Sequence, residues 1–146
     1  MTTLEVKAEL QKSAEATEKY IEAREEADRY RDILTGGRPA RYGKFSGTRS
    51  GCTNAEEKSR CRLADLVSDA DKLLAEMNTA HSRAMKLISV VPDCAQRRVL
   101  KKRYIYNQKW DDIAVQMNYS LRRIYQLHGK ALKNISLYFT NSCDII

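Results

Sequence analysis

The chain has 146 residues and a formal charge of +7, and its 42% hydrophobic but only 8% aromatic content suits one small globular module with elongated helices better than one large core. No apolar run approaches a membrane span, and the polar, acidic N-terminus lacks the apolar segment of a signal peptide, so a cytoplasmic protein without membrane contact is expected. Four cysteines, Cys52, Cys61, Cys94 and Cys143, form no C-x-x-C pair and are not spaced with His81 or His128; reduced thiols, no metal site and no cofactor are expected.

Leu4 to Leu34 is rich in Ala, Glu, Lys and Arg and holds no Gly or Pro, which predicts one long helix. Two seams run along it, Val6, Leu10, Ala14, Thr17 and Ile21 in one, and Ala16, Tyr20, Ala23, Ala27, Tyr30 and Leu34 in the other, so packing in a bundle or coiled coil is expected. Thr35 to Asn54 breaks the pattern with five glycines and Pro39, and carries Arg38, Arg41, Lys44 and Arg49 with no acid. Two readings stand for this loop: a hairpin connection, or an arm whose four bases touch DNA phosphates or a minor groove.

Ala55 to Ser89 carries the longest regular pattern, with Leu63, Ala70, Met77 and Ala84 at one heptad position and Leu66, Leu73, Ala80 and Leu87 at another. Val67, Leu74, His81 and Ile88 widen the stripe. A helix packed along the N-terminal one, or against a second subunit, accounts for it, and His81 within it fits a core or boundary residue. Pro92 stops this helix and opens the next, Asp93 to Ile105, with Val99, Leu100, Tyr104 and Ile105 inward and Arg97, Arg98, Lys101 and Lys102 outward. From Pro92 to Leu137 there are ten bases against three acids, so nearly all the excess charge sits there, the footprint of a phosphate-binding domain.

Trp110 to Gly129 fits the twenty-residue helix-turn-helix pattern. Trp110, Ile113, Ala114 and Met117 share one face of the first helix, with the small Ala114 where two helices approach. Asn118 occupies the turn, which needs φ > 0, a conformation Asn tolerates better than most residues. Ser120 is a suitable N-cap for a second helix with Ile124, Leu127 and Ala131 inside and Arg122, Arg123, Gln126 and Lys130 outside. In such a motif the second helix enters the major groove, where Arg pairs with G and Gln with A. The pair Asp111 and Asp112 favours the start of its helix through the helix dipole, and no catalytic constellation or phosphate-cradling Gly motif is visible, so no enzymatic activity is expected.

Arg103-Tyr104-Ile105, Trp110-Asp111-Asp112-Ile113-Ala114, Met117-Asn118-Tyr119-Ser120 and Ile124 to Leu132 resemble the C-terminal signature of ArpU-like phage regulators of late transcription, whose domain is similar to region four of the sigma factors. The resemblance covers about the last third of the chain. It implies promoter DNA as partner, host RNA polymerase as a further candidate, and the bacterial host cytoplasm as the place of action. The sigma positions that read the promoter fall on Leu121, Arg122, Tyr125 and Gln126. Leu121 stands where sigma factors tend to carry Arg, and Arg122 where they carry Glu, so the resemblance does not extend to the base sequence read.

The expected protein is thus all-α: a long, coiled-coil-like helical hairpin over residues 1–91 with a Gly-rich basic loop at 35–54, then a helix-turn-helix domain over 92–146. Its expected function is that of a sequence-specific double-stranded DNA-binding regulator that activates late genes. Arg122, Arg123, Tyr125 and Gln126 are expected at base edges, and Arg103, Lys109, Ser120 and Lys130 near phosphates. The helical region is a candidate homo-oligomer interface. The alternative is a small terminase subunit, which also joins such a motif to helices and recognises DNA for packaging.

Overall fold

The computed structural model describes residues 1–35 and 54–143. Among them the chain is all-α: α1 (Thr3–Thr35), α2 (Asn54–Ser89), α3 (Cys94–Leu100) continued by a π-helical turn (Lys101–Ile105), α4 (Trp110–Met117) and α5 (Leu121–Cys143). The basic loop with Arg38, Arg41, Lys44 and Arg49 lies outside the described residues, as do Ile145 and Ile146. No described helix is long and apolar enough to cross a membrane.

Local sequence accounts for the element ends. Thr2 and Glu5 form a reciprocal capping box, the Thr2 hydroxyl accepting from the Glu5 N–H and the Glu5 carboxylate from the Thr2 N–H, and so satisfy two N–H groups at the start of α1. Asp93 caps α3 by accepting from the Ala95 N–H at 2.9 Å. The helix expected to run unbroken from Asp93 to Ile105 changes pitch at Lys101, where the Tyr106 N–H bonds to the Lys101 carbonyl five residues back. The second helix of the motif continues to Cys143. Phe139 holds it there by packing on the core.

The chain divides into two compact units, residues 1–18 with 75–146, and residues 19–74. The first unit has a core of Val6, Leu10, Ala84, Leu87, Ile88, Val91, Leu100, Tyr104, Ala131, Leu132 and Ile135. Residues on both sides of the division expected at 91/92 share this core, because the start of α1 and the end of α2 bury their apolar faces against α3 and α5. A second cluster in the same unit joins Val99, Ile113, Ala114, Ile124 and Leu127 across α3, α4 and α5. Gln96, buried, accepts from the Asn134 side chain at 2.8 Å and so satisfies a polar group inside this packing. Arg97, expected outward, folds back to donate to the carbonyls of Val91 (2.6 Å) and Pro92 (3.0 Å). It closes the bend between α2 and α3.

In this unit the buried side of α1 is Val6, Leu10 and Ser13, and Thr17 meets His81 of α2 at 2.9 Å. In the unit of residues 19–74, Ala27 and Ala70 are buried, and the Arg62 guanidinium lies 5.6 Å from the ring centre of Tyr30. Along the seam expected through Val6, Leu10, Ala14, Thr17 and Ile21, Ser13 is fully buried in place of the half-buried Ala14, and Ile21 is exposed. Along α2, Leu63, Leu66, Val67, Leu73, Leu74 and Met77 are half-buried, and full burial comes at Ala70, Ala84, Leu87 and Ile88.

Candidate nucleic-acid interface

The turn between α4 and α5 fixes how α5 is presented. Asn118 has φ 54° and ψ 40°, the left-handed conformation expected of it. The Tyr119 N–H bonds to the Ala114 carbonyl at 3.0 Å and the Asn118 N–H to Val115 at 3.2 Å, the bond pair of a Schellman ending. The chain then re-enters a helix at once. Ser120 caps it by accepting from the Arg123 N–H at 3.3 Å. That bond uses a lone pair of the hydroxyl and leaves its proton free to donate outward.

With Ile124, Leu127, Ala131 and Ile135 buried, the opposite side of α5 presents Arg122, Arg123, Tyr125, Gln126, Lys130 and Lys133, all exposed. Among the described residues the side chains of Arg122, Arg123, Gln126, Lys130 and Lys133 have no hydrogen-bond or ion-pair partner, since every ion pair found there lies in α1 or α2. Lys109 is likewise exposed and unpaired, one residue before α4. Lys133 was not among the residues expected to contact DNA. It lies seven residues, about two turns, beyond Gln126 on the same side of the helix.

Two expected contact residues have internal roles. The Arg103 guanidinium lies 4.9 Å from the ring centre of Trp110, and its Nη1 donates to the Gln108 carbonyl at 2.9 Å, so this half-buried side chain braces the connector before α4. Its other N–H groups remain available to a phosphate. Tyr125 keeps an exposed hydroxyl end, but its ring packs on Trp110 at 5.3 Å. Trp110 thereby ties α4, α5 and the π-helical turn together. Asn107, the second residue with positive φ, at 51°, turns the chain into the connector and donates to Glu18 at 3.0 Å.

Behind this face lies a histidine that the sequence pattern did not single out. His128 meets the edge of Trp110 at 5.0 Å, and its Nε2 is 2.9 Å from the Tyr104 hydroxyl. Burial, with smaller contributions from the charges of Lys7 and Arg103, pushes its pKa down to about 4, while burial pushes the Tyr104 phenol up. Both groups are neutral at neutral pH, and the direction of their hydrogen bond follows the imidazole tautomer. A depressed histidine pKa means that the folded protein binds fewer protons than the unfolded chain between about 4 and the ordinary 6.5. Its stabilising contribution is therefore complete above 6.5 and is lost as pH falls towards 4. Allowing for solvent screening at a partly exposed ring, the loss should be on the order of 2 kcal/mol. Thermal melts at pH 7.5 and 4.5 should show a larger drop for the native protein than for His128→Gln, which keeps a polar partner for Tyr104 but does not titrate. Equal drops would assign the acid sensitivity elsewhere.

Compared with protein-family models, with curated proteins and with solved structures, the chain has no match in any of the three.

Proposed function

We propose that this chain is a sequence-specific double-stranded DNA-binding phage regulator that activates late-gene transcription. The observation that carries the reading is the outer side of α5, where Arg122, Arg123, Gln126, Lys130 and Lys133 are exposed without partners among the described residues, opposite a fully buried apolar side. Among the described residues these side chains have no partner within the fold, which leaves them free to meet a ligand. Their chemistry is that of groove recognition: Arg and Gln make bidentate pairs with G and A, and lysines neutralise phosphates. Asn118 and Ser120 support the reading further, because the left-handed turn and the cap start α5 with the exposed Arg122 and Arg123 in its first turn.

One recognition helix covers few base pairs, so a single module selects weakly among genomic sites. The half-buried stripe Leu63, Leu66, Val67, Leu73 and Leu74 of α2 is suited to pairing two copies, which would raise effective concentration on adjacent half-sites. Host RNA polymerase is the second proposed partner. The deciding experiment is transcription from candidate late promoters with the protein present or absent, combined with footprinting across the source genome. Activation of a promoter that contains the footprint supports the proposal. If no promoter responds, and the protein instead forms rings and stimulates DNA packaging, the small-terminase function replaces it.

A further inference from the structure

We infer that Gly129 is the point where α5 comes closest to the DNA backbone, kept without a side chain so that the helix can seat in the groove. The inference rests on the DNA-binding function proposed for α5. Gly129 lies in the interior of a 23-residue helix, where glycine is less favourable than alanine. Among the described residues nothing packs on it. A Cβ built there would meet no described atom within 4 Å, and the φ of Gly129 lies outside the left-handed region. Neither internal packing nor backbone conformation explains the residue, so the space above it is free for something outside the chain.

The position of that space indicates what fills it. Arg122, Gln126, Gly129 and Lys133 are spaced i, i+4, i+7 and i+11, which sets them along one line of α5 opposite the buried Ile124, Leu127, Ala131 and Ile135. At about 1.5 Å of rise per residue, Gly129 lies roughly 10 Å along the axis from Arg122. The major groove is about 12 Å wide. A helix with Arg122 and Gln126 at the base edges therefore brings residue 129 to the lip of the groove, where the sugar-phosphate backbone crosses. Lys130 and Lys133, unpaired and exposed, flank that point with the charge a phosphate needs. The sequence thus places two exposed cations beside a position that carries no side chain.

The test uses the full chain with Gly129→Ala, Gly129→Ser and Gly129→Leu, and a labelled 30-base-pair duplex of mixed sequence at low salt. Gly129→Ala should raise the melting temperature by about 2 to 4 °C through helix propensity. The same variant should weaken DNA binding at least fivefold, with a larger loss for Gly129→Leu. A stabilised Gly129→Ala protein that binds as tightly as the native one overturns the inference and leaves the DNA-binding function standing. Equal losses for Ala and Leu also overturn it, because a steric contact must scale with the size of the side chain. If the native protein itself fails to bind the duplex, both the function and the inference built on it fall.

Discussion

A fragment of residues 92–146 is expected to lose its cooperative fold, although it contains the whole of α3, α4 and α5. In the intact protein Leu100, Tyr104, Ala131, Leu132 and Ile135 share a core with Val6 and Leu10 of α1 and with Ala84, Leu87, Ile88 and Val91 at the end of α2. Cutting at residue 92 exposes five core side chains to water at once. Each fully buried aliphatic or aromatic side chain contributes about 1.5 to 3 kcal/mol, and domains of this size have only about 5 to 15 kcal/mol in total. Only the smaller cluster around Ile113 and Ile124 would remain. The fragment should show a broad melt, reduced helix content and a red-shifted Trp110 emission. Ile88→Asp in the full chain should act in the same direction, since it places an unpaired charge where the side chain is fully buried. A sharp melt for the fragment close to that of the intact protein would show that α1 and α2 are dispensable to the core.

The second large effect is expected on DNA. Arg122→Ala or Gln126→Ala should each cost about 1 to 3 kcal/mol on the preferred site and relax the base preference there. Lys130→Ala should instead weaken all sequences alike and lower the salt slope by about one. All three side chains are exposed and make no bond among the described residues, so their removal should leave the melting temperature nearly unchanged. Arg103→Ala is expected to differ: it removes the contact with Trp110 and the bond to the Gln108 carbonyl, and should lower both stability and affinity. Titrations on a site selected from genomic fragments and on mixed-sequence DNA would separate these roles. Identical losses on both DNAs for Arg122→Ala and Lys130→Ala would remove the distinction between base and phosphate contacts.

Much of the architecture was legible in the residues because its causes are local. The helical class follows from propensity and apolar spacing. The turn follows from Asn118, whose left-handed conformation few other residues adopt without strain, and the start of α5 from the hydroxyl of Ser120. The buried face Ile113, Ala114, Ile124 and Leu127 is the periodic one. The exposure of Arg122, Arg123 and Gln126 follows from the same period.

What tertiary structure decided was everything that depends on which faces meet. Periodicity marks a stripe on α2 without naming its partner, and only the packed chain shows that the last turns of that stripe, Ala84 to Ile88, join α3 and α5 in one core instead of closing a separate hairpin. Ser13 entered the buried face, and Arg97 and Arg103 turned back onto carbonyls, because a neighbour lay within reach. The neutrality of His128 is likewise a product of burial and of the nearby Lys7, which lies 121 positions away in the chain. Such long-range proximity has no trace in local spacing. The open space over Gly129 among the described residues became visible only once their helices were packed.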